Sequence, residues 1–330
     1  MEFKYGLSDH VVTALEQLET EDSTFAGLRQ VLSEAKDTLR PLPSRVQITM
    51  VSNLDREYLG ADFLTGLATL FAHTEARLRV LYYVSSYRLL DLLEMVVAGL
   101  NGGRFAGVML GSRSLVEHAA ISRWRQRQLM PLLEAVDGIR PSTLRRCKGN
   151  GNLTSAVVET LYNANSKLEE TYAAGRFDRG VLSKPREIKS IELDAKDPLR
   201  QVGIMDAIDE LNWSGPLLPA TNARFYYELL CDYVHPNVGS NFMHIDRENY
   251  EDIRNLHTNA ANRLVHMEIA ADTLDKSLCL HVLSAMAIPV REATKDLIDY
   301  SRWLERHLEG RRQFGSKLRE SGIKDISRSV

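Results

Sequence analysis

The sequence predicts an all-α fold, a helical bundle built on a central buried αα-hairpin. Three observations predict it. Apolar residues recur at three- and four-residue spacing nearly everywhere along the 330 residues. No run shows the sustained apolar/polar alternation between turn residues that marks a half-buried strand. Asn101-Gly102-Gly103 also separates two long periodic runs, the signature of a helical hairpin.

Taken in order, Val11 to Leu39 reads as one or two amphipathic helices, closed by Pro41-Leu42-Pro43-Ser44, which cannot continue a helix. Residues 1–58 are therefore expected to form an N-terminal helical appendage, 59–312 the bundle, and 313–330 a polar tail. From Ala61 the pattern runs through Leu81-Tyr82-Tyr83-Val84 to Gly99, and a second long helix starts at Arg104, with Pro131 expected to kink or restart it. Gly149-Asn150-Gly151-Asn152 precedes a helix from about Leu153 to Tyr172. Residues 175–201 carry many charges, Pro185 and Pro198, and little periodicity; so long a connection in a compact domain predicts a lid, a binding loop or a mobile insert. Helices resume near Met205 and again from Asn222 to Tyr233, ended by His235-Pro236-Asn237-Val238-Gly239. The remainder is helical from about Arg247, with Pro289 breaking the pattern.

A hydrophobic content of 44% suffices for a sizeable core. Cys147, Cys231 and Cys279 are odd in number, widely spaced and in no metal-ligand pattern, which predicts a reducing compartment, the cytoplasm. The start Met1-Glu2-Phe3-Lys4-Tyr5 lacks a signal-peptide pattern, and apolar stretches such as Leu89–Leu100 are too short for a bilayer, so no membrane association is expected. A net charge of −3 argues against a sequence-indifferent nucleic-acid coat but leaves room for a local basic surface. P-loop, Gly-x-Ser-x-Gly, His-Glu-x-x-His and Glu-x-x-His strings are all missing, so neither a cofactor nor a metal is expected.

The helix Arg104–Trp124 carries the first chemical constellation. Ala106, Met109, Leu110, Arg113, Val116, Glu117, Ala120 and Trp124 share one face, and Val108, Leu115 and Ala119 populate the other, so the helix is expected to be buried nearly all round. Gly107, Gly111 and Ser112 would admit close neighbours. Arg113 and Glu117 then form an i,i+4 pair in apolar surroundings, either a structural salt bridge or a functional pair. His118 lies about 140° round the helix from Arg113 and reads as a core or interface histidine.

The second constellation runs from Arg224 to Asn237. Arg224, Glu228, Asp232 and His235 align as a polar stripe, with Phe225, Tyr226, Leu229, Leu230 and Tyr233 available to pack. Asp232 stands three residues before His235 and could orient its imidazole, while Pro236 fixes the helix exit. That suits a general acid or base, or else a histidine capping the helix end. Cys231 reads as a buried, inert thiol. Arg123, Arg125 and Arg127 around Trp124, then Arg140, Arg145, Arg146 and Lys148, set seven cations against Glu134 and Asp137. A second excess lies at Arg302, Arg306, Arg311, Arg312, Lys317 and Arg319. Each stretch is either a solvated helix face or an RNA-contacting surface with Trp124 as a stacking platform.

The strings Gly111-Ser112-Arg113-Ser114-Leu115-Val116-Glu117 and Tyr226-Tyr227-Glu228-Leu229-Leu230-Cys231-Asp232-Tyr233-Val234-His235-Pro236 resemble the HEPN-like helical superfamily over roughly Leu81 to Asn241. The resemblance implies a helical bundle that dimerises, and an RNA-cleaving effector of a prokaryotic defence or toxin–antitoxin system with an antitoxin or other partner protein. It further implies a metal-independent mechanism using arginine and histidine from an Arg-x(4–6)-His motif. That local motif is missing upstream of His235, whereas Arg113 and His118 have its spacing. A site of Arg113, Glu117 and His235, assisted by Asp232, would require those helices to meet. The competing expectation is a non-catalytic interaction or nucleotide-binding protein with a structural Arg113–Glu117 pair.

Overall fold

A computed structural model describes residues 6–21, 23–39, 42–43, 45–48, 63–140, 142–143, 146, 151–173, 203–213, 223–235 and 276–320. Among them all secondary structure is helical: α1 (Asp9–Glu21), a 3-10 turn (Ser23–Phe25), α2 (Leu28–Thr38), α3 (Phe63–Asn101), α4 (Phe105–Asp137), α5 (Gly151–Ala173), α6 (Ile204–Ile208), α7 (Ala223–Val234) and α8 (Lys276–Glu320). The insert expected at 175–201 lies outside the described residues. The chain divides into two compact units. The first comprises residues 1–42, 87–120 and 204–298; the second comprises 43–86, 121–203 and 299–330. Helices α3, α4 and α8 contribute a segment to each.

In the first unit the N-terminal helices are held by polar ties as well as apolar burial. Val11, Leu15, Phe25, Leu28 and Leu32 are buried. Arg29 forks to Glu16 and Glu19 at 2.7 and 2.9 Å, bridging α1 and α2. Ser8 donates its backbone N–H and its hydroxyl to Asn101 Oδ1, and Asn101 returns a bond to the Gly6 carbonyl. Arg291 of α8 donates to the Ala26 carbonyl at 2.8 Å, satisfying a backbone acceptor where the turn ends.

Helices α3 and α4 approach closely where glycine permits. A Cβ on Gly99 would stand 2.7 Å from Val108 Cγ2 and 3.0 Å from the Val108 backbone nitrogen, and one on Gly111 would stand 2.8 Å from Val96 Cγ2. Gly107, expected to serve the same purpose, faces open space, while Ser112 is buried and donates to the Val108 carbonyl. The expectation that α4 is buried nearly all round also needs correcting. Val108, Met109, Leu115, Val116, Ala119 and Ala120 are buried, whereas Ala106 and Leu110 are exposed and Arg113 and Glu117 are half-buried. Apolar character on every side of a wheel does not say how many sides find a partner.

Neither proline divides its helix. α4 runs through Pro131 and α8 through Pro289 without a break. An interior proline costs about 3 kcal/mol through its lost donor and ring clash. Apolar burial on both sides offsets that cost: Leu129, Leu133 and Val136 flank Pro131, and Met286, Ile288, Val290 and Ala293 flank Pro289. α8 also extends to Glu320, into the region expected to be a polar tail.

The second unit has its own core. Leu78 and Leu81 of α3, Leu129 and Leu133 of α4, Leu168 of α5, and Tyr300, Trp303, Leu304 and Leu308 of α8 form one cluster. Asn165 is buried beside it and donates to Thr74 Oγ1 at 2.8 Å, pinning α5 to α3. The net charge of −3 conceals a segregation: the first unit's sequence holds 14 Lys/Arg against 25 Asp/Glu, a net of −11, and the second 27 against 19, a net of +8.

Candidate functional site

Two helices of the first unit build a polar cluster from residues over a hundred positions apart. α4 presents Arg113 and Glu117 one turn apart, and α7 turns Tyr227 inward with Ala223 and Leu230. Arg113 Nε donates to Glu117 Oε1 at 3.1 Å and Arg113 Nη2 to the Tyr227 hydroxyl at 3.3 Å. That hydroxyl donates to Glu117 Oε1 at 2.9 Å, closing a triangle. The guanidinium carbon sits 5.5 Å from the Tyr227 ring centre. The side chains of Arg113 and Glu117 are 22% and 21% exposed, so the pair is partly desolvated yet reachable from solvent.

The electrostatics follow from that placement. Burial, with the Glu117 carboxylate beside it, pushes the Tyr227 phenol well above its ordinary range, so it stays a neutral donor. Burial opposes the charge on Arg113, but the bond to Tyr227 and the nearby carboxylate outweigh it, and the guanidinium is held more firmly protonated than in water. Burial raises the Cys231 thiol, against the lowering pull of Arg113, which keeps it a thiol and not a nucleophile. Among the described residues Arg113 Nη1 has no hydrogen-bond partner, so the anchored arginine keeps one edge for an anionic oxygen.

His235 is exposed at the end of α7. Its backbone N–H bonds to the Cys231 carbonyl, and its ring makes no hydrogen bond among the described residues. It stands eight residues beyond Tyr227, about 12 Å along the axis. Asp232 is exposed and does not bond to it. The outward polar stripe is real, and its first half is paired: Arg224 reaches Glu228 at 3.2 Å and Asp209 at 3.3 Å. His118 is buried, round the helix from the cluster. Tyr227, not singled out from the sequence, is the residue that joins the helices. Its position on the inward face, with a hydroxyl requiring a partner, was the available signal.

The residues expected to contact RNA belong to the second unit. Arg123, Arg127 and Arg146 are exposed, Trp124 and Arg125 are half-buried, and Arg145 and Lys148 lie outside the described residues. Of the later basic stretch, Arg302 and Arg306 are exposed, whereas Arg311 is buried and ion-paired to Asp137 at 2.7 Å, so it is not part of a solvated face. Among the described residues there is no group of three or more His, Cys, Asp or Glu arranged to hold a metal, and no helix is long and apolar enough to cross a membrane. No protein-family model, curated protein or solved structure matches the chain.

Proposed function

We propose that this chain is a metal-independent RNA-cleaving effector of the HEPN-like kind, acting in a prokaryotic defence or toxin-type system as a homodimer with a partner protein. In this reading the α3–α4 hairpin is the centre of the bundle. The observation that supports it is the anchored arginine: Glu117 and Tyr227 fix two of its nitrogens while Nη1 has no hydrogen-bond partner among the described residues. A guanidinium so held can bind a phosphate oxygen of a nucleic-acid strand without reorganising. His235 would take the proton of a ribose 2′-hydroxyl as that oxygen attacks the adjacent phosphorus. The 5′-oxygen then leaves with a proton from water, and the imidazolium returns its own to solvent. An RNA strand running along α7 would meet both groups about 12 Å apart, the guanidinium at one phosphate and the imidazole at the cleaved one further along.

A second reading is favoured by the closure of the same triangle. Arg113, Glu117 and Tyr227 satisfy one another, as a structural pin in a non-catalytic interaction or nucleotide-binding protein would. Cleavage of labelled RNA in the presence of a chelator separates the two. The nuclease reading expects Arg113→Gln and His235→Asn each to lower the rate by about 100-fold or more with unchanged far-UV spectra. It fails if both variants fold and cleave like the parent, or if the parent does not cleave.

A further inference from the structure

The turn between α3 and α4 carries chemistry of a different kind. Asn101 is the last residue of α3 and is followed by Gly102 and Gly103. The segment ahead of α1 holds its side-chain amide at both ends. Ser8 donates to Oδ1 from its backbone N–H at 2.9 Å and from its hydroxyl at 3.0 Å, and Nδ2 donates to the Gly6 carbonyl at 2.9 Å. The Gly102 N–H is engaged as well, donating to the Ala98 carbonyl at 3.1 Å in the last turn of the helix. Asn101 is half-buried and Gly102 is exposed to solvent.

Each of these residue types answers a separate structural need. Residue 101 must accept from Ser8 and donate to Gly6 at once, which a primary amide does and a carboxylate does not. A Cβ at 102 would stand 3.2 Å from the Ala98 carbonyl oxygen, so the close of the helix favours glycine. The two needs together create an Asn-Gly pair. With no side chain to shield it, the backbone nitrogen after the asparagine is then the one freest to turn on the neighbouring side-chain amide. In the folded chain it is held off twice. The bond to Ala98 keeps the backbone helical, with the Gly102 nitrogen directed away from Asn101 Cγ, and the bonds to Gly6 and Ser8 stop the amide from rotating toward it. A last-turn helix bond frays readily, so the second restraint decides. We propose that Asn101 is a deamidation site controlled by residues 6–8: while they are docked the amide is inert, and when they leave, the Gly102 nitrogen closes on it.

The reaction needs only water and base. The Gly102 nitrogen gives its proton to solvent and bonds to Asn101 Cγ; the bond from Cγ to Nδ2 breaks, and that nitrogen takes a proton from water and leaves as ammonia. Water then opens the cyclic imide at either carbonyl, giving aspartate or isoaspartate at 101. Either product lacks the Nδ2 donor, so the Gly6 carbonyl is left facing an oxygen. Isoaspartate also adds a methylene to the main chain where Gly103 and Arg104 bond back to Leu100 and Gly99. Residues 6–8 cannot then redock as before, and the step runs one way. None of this depends on the RNA-cleaving reading.

The experiment is peptide mapping by mass spectrometry of the full chain held in mildly alkaline buffer, folded and in urea. Beside it stand Ser8→Ala, which removes one donor to Oδ1, and Ser8→Pro, which removes both. Asn150-Gly151, the other Asn-Gly pair of the sequence, is the reference in urea, where the two pairs should react alike. The expected rate at Asn101 is at least about tenfold lower in the folded parent than in urea, and rises about fivefold in Ser8→Ala and further in Ser8→Pro. Hydrogen exchange in the middle of α3 should stay at the parent's rate in both variants, which makes the release local. In the aged parent, the Ser8 amide should exchange faster in molecules modified at 101 than in unmodified ones. Equal rates at Asn101 in the folded and the urea-unfolded parent overturn the proposal, as does a folded Ser8→Ala that reacts no faster than the parent. Unchanged exchange at Ser8 overturns the one-way release. Should Ser8→Pro fail to fold, Ser8→Ala decides alone.

Discussion

Replacing Tyr227 by phenylalanine removes one oxygen from the Arg113–Glu117–Tyr227 triangle and leaves the ring, its packing and its contact with the guanidinium in place. No cavity term arises, so the cost is that of the hydroxyl's bonds. Hydrogen bonds to charged partners are worth about 1.5–3 kcal/mol net. The bond to Glu117 at 2.9 Å is of full strength, the one from Arg113 at 3.3 Å is long, and Glu117 is 21% exposed, so water compensates in part. The lower part of that range applies, about 1.5–2 kcal/mol, which corresponds to a fall of about 2–3 °C in the midpoint of thermal unfolding of a chain this long. Glu117→Gln and the double variant complete a cycle, and two residues in one network should show a coupling of about 1 kcal/mol. The assay is thermal and urea unfolding followed by far-UV circular dichroism. A loss below about 0.5 kcal/mol with no coupling would show that the triangle does not hold α4 to α7 in solution, and the anchored-arginine argument would fall with it.

Two further predictions concern packing and titration. Gly107→Ala should stabilise the protein by about 0.5–1 kcal/mol, because the added methyl meets nothing and alanine favours the helix. Gly99→Ala should destabilise it by about 1–3 kcal/mol, because the methyl meets the Val108 backbone; equal unfolding midpoints for the two variants would refute the close approach. The phenols of Tyr227 and Tyr300 are both held above their ordinary range, mainly by burial. A raised folded value means the native state keeps its proton longer than the unfolded chain, so stability is intact below about pH 10 and falls above it, by up to about 1.4 kcal/mol per pH unit for each tyrosine. Urea midpoints flat from pH 9 to 11 would contradict that placement.

The helical class was legible because apolar spacing is a local property that any partner must respect. The Gly102-Gly103 break between α3 and α4 and the Arg113–Glu117 pair were legible for the same reason, since a turn and an i,i+4 contact involve only neighbours in sequence. Pro131 restarts no helix and Pro289 ends none, because a local breaking cost of about 3 kcal/mol is decided against the burial on either side, which local sequence does not contain. The amphipathic wheel of α4 gave apolar character without saying which side a partner covers, so Leu110 is exposed while Leu115 is fully buried.

Everything that joins distant segments was settled by tertiary structure alone. Tyr227 meets Glu117 across 110 residues and His307 meets Asp137 across 170, and no periodicity encodes such pairings. The same holds for charge. A composition summing to −3 is uninformative until the fold sorts the segments, and it sorts them into one acidic and one basic unit. Sequence determines which helices form, because their hydrogen bonds close within four residues. Which side chains share a proton, an anion or a field depends on how those helices pack.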